Sequence, residues 1–384
     1  MKKYTKLCLA TLCFISSVSA FADGYKGEAP PLVPVTIPSF AGGFEFSLGA
    51  LYMTPDSSNL DYLVVQSIGW EAVNTSDVDY AVNPGYNWGF VLGLGYVFPN
   101  TANDVKLDWM YFHNNFKSSE FIVGGDAQLV SFVPGFQMEL GDSSSGNVTL
   151  NANGTVKYDF DAVDLTFGQY LNIGPRLQTR LFTGLRYMRL DDDLSTEYAA
   201  ITNRGVSTGS VSSTFVDGSV NSSFNGLGPM VGMKADYYLG TGFSLSGGID
   251  MALLVGQLSL NADSQVAVFT QSGSTAPYRL TDAENVDYSY DSQQVIAPGF
   301  DAKFALNYKY QFNNGTLLGL ELGYQVTKYI DVVEQIDTGD VAAVAAPDAG
   351  RSTMAQAFQD FENRDTDVTN FRLAGPYLTM NVKI

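Results

Sequence analysis

The side chains that carry most acid–base, nucleophilic and metal chemistry are scarce in this chain. It has one histidine, His113, two cysteines, Cys8 and Cys13, and short acidic runs such as Asp191, Asp192 and Asp193. A hydrolytic centre needs a histidine or thiolate within reach of a carboxylate or hydroxyl. His113, in WMYFHNN, shares the alternating phase of Val105, Leu107, Trp109 and Tyr111, so it belongs to the apolar face of its segment. The motifs G-x-S-x-G, H-E-x-x-H and the phosphate-binding loop do not occur. The acidic triplet has the ligand type for a cation but neither the spacing nor the glycine of a calcium loop, and it reads as solvated loop acid. The expectation is a protein with no enzymatic activity, catalytic residue, metal site or cofactor.

Both cysteines lie in an N-terminal segment where Lys2, Lys3 and Lys6 precede an apolar run over 7–18 and small residues around Ala20 and Ala22. That is the form of a secretory signal, 1–22, with cleavage near Ala22. About 12 apolar residues are too few to span a hydrocarbon core, which needs about 20. Without the signal the chain has no thiol, hence no disulfide or cysteine metal site. It keeps 18 basic against 40 acidic residues, which disfavours nucleic acid as a partner. Residues 23–42 hold Pro30, Pro31, Pro34 and Pro38, which forbid a helix and discourage a strand. They read as an extended periplasmic leader or as a segment folded back into a lumen.

The elements that must position any functional group are strands. In FDAKFALNYKY (300–310) Phe300, Ala302, Phe304, Leu306, Tyr308 and Tyr310 alternate with Asp301, Lys303, Ala305, Asn307 and Lys309, a period of two. The same alternation marks ten segments: 43–52, 88–98, 104–116, 157–171, 176–191, 225–239, 242–258, 295–312, 316–330 and 369–384. Short turn-rich connections take turns with five long ones at 53–87, 117–156, 192–224, 259–294 and 331–368, which together hold 27 acids and 5 bases. Short periplasmic turns and long outer loops are the signature of an outer-membrane barrel. The fold expected is all-β, a transmembrane antiparallel β-barrel over 43–384 with about ten strands. Twelve or more follow if segments such as EFIVGG and AQLVSFV in 120–133 join the wall.

In such a barrel the apolar face meets lipid and the ionic face lines the lumen. Phasing each strand by its apolar row assigns Lys106, Asp108, Asp159, Asp161, Asp164, Arg176, Arg180, Arg186, Lys234, Asp236, Asp250, Asp301, Lys303, Lys309 and Glu321 to the lumen. Glu45, Asp104, Lys157, Arg372 and Lys383 go with them. Strands 157–171 and 369–384 fit only with a one-residue phase shift, which a β-bulge would supply. A lipid-facing Lys or Arg at the midplane costs about 2–4 kcal/mol, which explains the avoidance. Trp88, Tyr96, Tyr111, Tyr187, Tyr237, Tyr308, Tyr310 and Tyr324 fall in the outward phase near strand ends, where they would form aromatic girdles.

The runs VDLTFGQYLNIGPRLQTRLFTGLRYMRLD (163–191) and GLGPMVGMKADYYLGTGFSLSGGIDMALLVG (226–256), with LELGYQVTKYID (320–331) and the ending LAGPYLTMNVKI, resemble the Legionella major outer-membrane protein family. The resemblance implies a pore-forming barrel in the outer membrane of a Gram-negative cell. Two features depart from it. The mature chain lacks cysteines for the disulfide-linked assemblies known in that family, and it ends in Ile384 rather than an aromatic residue. The function expected is passive passage of small solutes or ions. The alternative is a non-conducting surface scaffold or adhesin whose acidic loops meet a host-cell surface or divalent cations. Ten strands lie close to the size at which side chains fill a lumen, and Arg176, Arg180 and Arg186 could pair with Asp159, Asp161 and Asp164 to close it. The expected partners are the lipid bilayer, lipopolysaccharide and the barrel-assembly machinery. Association of copies stays open.

Overall fold

A computed structural model describes residues 42–57, 60–67, 77–124, 128–132, 137–140, 148–204, 210–272, 277–312, 316–336 and 366–384. The signal and most of the proline-rich leader lie outside the described residues. Fifteen strands follow in order: β1 (Gly43–Asp56), β2 (Asp61–Ser67), β3 (Asp77–Ala81), β4 (Asn87–Val97), β5 (Asn103–Gly124), β6 (Gln128–Phe132), β7 (Gln137–Leu140), β8 (Val148–Ile173), β9 (Leu177–Arg204), β10 (Ser210–Gly240), β11 (Phe243–Ser272), β12 (Arg279–Ser289), β13 (Gln293–Gln311), β14 (Leu317–Ile336) and β15 (Thr366–Lys383).

Ten of these strands, β1, β4, β5, β8, β9, β10, β11, β13, β14 and β15, pair antiparallel into a closed ring. The pairing of β1 with β15 joins the two ends of the sheet, with Phe46 opposite Val382 and Leu48 opposite Met380. Closure leaves no exposed edge in the membrane, where an unpaired backbone group would find no water. The ten expected strand segments are the ten ring strands. The 120–133 segments do not enlarge the ring. Residues 120–124 prolong β5, and β6 lies in a separate sheet of order β3-β2-β6-β7.

The long connections differ from the sequence expectation. Most of 192–224 and 259–272, and much of 117–156, is strand, so β8, β9, β10 and β11 run for 26, 28, 31 and 30 residues. At about 3.3 Å per residue the longest extends roughly 100 Å, far more than the roughly 25 Å apolar band requires even at a tilt of 45°. The barrel therefore stands well beyond the membrane on its outer side.

Where the wall leaves the membrane, the two faces exchange chemistry. In β9 the inward row below the boundary includes Gln178, Arg180, Phe182 and Arg186, and above it the apolar Met188, Leu190, Leu194 and Tyr198 with the buried Asp192 and Thr196 among them. The outward row changes the other way, from Leu181, Leu185 and Tyr187 to Arg189, Asp191, Asp193 and Ser195. β8 inverts at the same level, since Val163 pairs with Tyr187 and Ala162 with Met188. The ladder keeps one unbroken register through this level.

The interior of the outer cylinder is filled by chain from outside the ring and by the upper end of β14. Tyr62 and Leu63 of β2 are fully buried, and the Tyr198 hydroxyl donates to the Tyr62 carbonyl. The Tyr62 ring lies against Gly154, so close that a β-carbon there would strike it. At Asp331, which has a positive φ of 57°, the β14–β15 register shifts. Beyond it Val332, Val333 and Ile336 turn into the cylinder, and the Glu334 amide donates to Ser222 Oγ on β10 at 2.9 Å.

Candidate functional site: the barrel lumen

Within the membrane the lumen holds a polar cavity of about 350 Å³, which falls in the size range of small-molecule pockets. It extends from the periplasmic rim, at Val97, Leu317 and Lys383, up to Leu51, Met230 and Arg186. Lys106, Asp108, Asp164, Arg180, Arg186, Lys234, Asp236, Asp250, Lys303, Lys309 and Glu321 all line it. Asp301 lies just behind, buried.

Most of these charges neutralise one another. Lys106 Nζ is 2.7 Å from Glu45, and Lys383 approaches the same carboxylate at 4.0 Å. Arg180 Nε donates to Asp104 at 2.8 Å, and its terminal nitrogen to Thr166 Oγ1 at 3.0 Å. Lys234 reaches Glu321 at 2.7 Å, whose other oxygen accepts from the Tyr377 hydroxyl at 2.6 Å. Lys309 meets Asp236 at 3.2 Å. At the top of the cavity Arg186 is held by Asp164 through two parallel bonds of 2.6 Å, by Asp250 at 3.1 Å and by Asp301 at 2.5 Å. Buried charges persist only with such partners, and a bidentate guanidinium is the geometry best suited to the task.

Directly above Arg186 the lumen is closed by its own wall. Phe160 of β8 lies 5.8 Å from Tyr329 of β14, which is five strands away and so on the opposite side of the ring. Phe371 of β15 stacks on Phe160 at 5.7 Å and tilts against Tyr158 at 5.7 Å. Phe112, Leu51 and Met53 are buried with them in one apolar cluster. None of these residues was a lumen candidate. They become visible in the sequence only if the inward phase of the charged half is carried upward unchanged.

Five lumen assignments are corrected. Asp159 and Asp161 face outward: Asp159 lies 2.5 Å from His113 Nδ1, with 46% of its side chain exposed, and Asp161 accepts from Trp109 Nε1 at 3.0 Å. The phase shift invoked for β8 does not exist, because the polarity of the faces inverts and the backbone does not. Lys157 and Arg372 are outward for the same reason, pairing with Asp193 at 3.4 Å and Asp56 at 3.1 Å. Arg176 is in the turn between β8 and β9, where its carbonyl accepts from the Tyr238 amide at 2.8 Å. The proposed pairing of arginines with these acids holds for Arg186 and Asp164 alone.

The acidic triplet cannot converge on a cation, since alternation sends its members to opposite faces. Asp191 and Asp193 point outward to Arg189 and Lys157. Asp192 is fully buried above the membrane, accepting from Ser57 Oγ at 3.2 Å, while Ser57 and the Tyr158 hydroxyl share a bond of 2.7 Å. Among the described residues no cation lies beside it, and burial, aided by Asp193, pushes its carboxyl from 3.8 up to about 8.

All eight girdle aromatics face outward. At the periplasmic end Tyr96 packs on Phe44 at 4.9 Å, Tyr308 on Phe243 at 4.8 Å and Tyr310 on Phe312 at 5.0 Å, with Tyr237 beside them. At the outer end Trp88 packs on Tyr52 at 4.9 Å and Tyr111 on Phe90 at 5.3 Å. Tyr187 and Tyr324 continue that belt.

A closed antiparallel ring with an apolar outer band, two aromatic belts and a charged interior is a transmembrane β-barrel of the bacterial outer membrane. The chain belongs to the Legionella pneumophila major outer membrane protein precursor family, whose model matches residues 36–384. No curated protein matches it. Among solved structures it is similar to the outer membrane protease OmpT from Escherichia coli, at 9% identity and a TM-score of 0.39 over 93% of this chain and 99% of that one. It is also similar to the toluene transporter TodX of P. putida, at 8% identity and a TM-score of 0.25 over 94% and 95%. A Pseudomonas aeruginosa FadL homologue matches at 6% identity and a TM-score of 0.24 over 89% and 90%.

Proposed function

We propose that the protein is a closed surface scaffold, which anchors a tall β-cylinder in the outer membrane and displays acidic loops without carrying free diffusion. The reading rests on the contact of Phe160 with Tyr329 and Phe371 across the lumen, with a packed, largely apolar interior above it. Water and ions have no continuous path through such a layer, and parting it would expose large buried aromatic surfaces. The outward face of the cylinder, with Asp191, Asp193 and Glu197 on one strand alone, suits cation-rich surroundings or a basic partner. Purified protein in planar bilayers should give no unitary conductance. Reproducible steps that scale with bath conductivity would overturn the scaffold reading.

A second reading, passage of small ions or solutes, is favoured by the charged cavity open to the periplasm. It requires the aromatic layer to part, and the same recordings distinguish the two.

A further inference from the structure

Every charged side chain lining the cavity is in an ion pair with another wall residue, except two of opposite sign. Lys303 and Asp108 make no hydrogen bond or ion pair among the described residues. The registers place them face to face. Stepping round the ring from Asp108 through Gly93, Ser47, Asn381 and Gly319 arrives at Lys309 on β13. Stepping the other way through Asp164, Arg186, Gly228 and Leu254 arrives at Ala297 on the same strand. Lys303 is midway between these two, so it stands at the height of Asp108 on the diametrically opposite wall. Ten strands about 4.8 Å apart and tilted about 40° make a ring roughly 20 Å across, so the two side chains stop short of each other and leave space for one small molecule. Each is flanked in the ladder by a glycine that keeps the wall low: Gly248 beside Lys303 and Gly93 beside Asp108.

We propose that this cavity binds a small zwitterion of amino-acid or dipeptide size from the periplasmic side, its carboxylate on Lys303 and its ammonium on Asp108. A solute with both charges meets both groups at once through charge-assisted hydrogen bonds, whereas an anion or a cation can engage only one of them. The site is complete below the aromatic layer, so binding does not require passage through the barrel.

The test is equilibrium dialysis of detergent-solubilised full-length protein against labelled L-alanine and L-alanyl-L-alanine, with propionate and propylamine as single-charge probes. At least one zwitterion should bind saturably, and about tenfold or more tighter than either single-charge probe. Lys303→Met and Asp108→Asn should each weaken it about tenfold or more, the loss of one charge-assisted bond. Gly248→Leu, at a lining position where an added β-carbon would meet only the Met233 carbonyl oxygen, in ordinary contact at 3.7 Å, should block binding with both charges intact and guards against misfolding of the charge variants. Absence of saturable binding by both zwitterions, or equal binding by the wild type and all three variants, overturns the proposal.

Discussion

Asp192 makes the stability of the outer cylinder depend on pH in a direction opposite to most carboxylates. It is buried with Ser57 and Tyr158 and has no basic partner among the described residues. Its folded-state pKa of about 8 stands above the ordinary 3.8, so between these values the folded chain holds a proton that the unfolded chain has released. Stability is therefore fully present below about pH 4 and is lost as pH rises toward 8, by about 1.4 kcal/mol per pH unit. Asp192→Asn keeps the shape and removes the titration. Its advantage over the wild type should grow by about 4 kcal/mol between pH 5 and pH 8. Denaturant titrations in micelles at both pH values measure this, and hydrogen exchange of amides around Leu190 and Tyr158, compared at equal pH, locates it. A gap between variant and wild type that is the same at pH 5 and pH 8 refutes the reasoning.

Arg186→Met strips the shared cation from Asp164, Asp250 and Asp301 and should destabilise the barrel by about 3–5 kcal/mol. Adding Asp301→Asn in that background should restore part of the loss, both read from denaturation midpoints in detergent. The inversion at the membrane boundary predicts that a cysteine at position 159 reacts with a membrane-impermeant maleimide on intact cells while one at 164 does not. Equal labelling would contradict the assigned faces. Gly154→Val should cost about 1–3 kcal/mol through its collision with the Tyr62 ring, and Tyr62→Ala should relieve that collision in a double-mutant cycle.

The membrane half of this fold is legible because lipid on one face and water on the other force strict alternation. Phe300, Phe304 and Tyr308 against Asp301, Lys303 and Lys309 leave little choice of face. The outer half is written in a weaker code. Thr149, Asn151 and Asn153 outside, with Leu150, Ala152 and Gly154 inside, read as polar loop because small residues suffice where a neighbouring strand such as β2 supplies the bulk. The cavity's free pair was harder still. Lys303 and Asp108 are individually ordinary lumen charges, and only the registers of all ten strands show that they oppose each other while their neighbours find partners.

The misplacement of Asp159 and Asp161 exposes the physical rule that governs the whole wall. A charged side chain goes to whichever face is wet, and along β8 and β9 that face changes. Where lipid surrounds the barrel, outward charge is penalised and the interior takes Arg180, Arg186 and their carboxylates. Some layers higher water surrounds it, outward Lys157, Asp159 and Asp191 become favourable, and the hydrophobic effect drives Tyr158, Phe160 and Leu190 inside as in a soluble barrel. A backbone with period two accommodates both regimes in one register, so the crossover needs no bulge. The crossover also explains the closed lumen: the aromatic layer of Phe160, Tyr329 and Phe371 is the floor of a soluble-type core resting on the charged ceiling around Arg186.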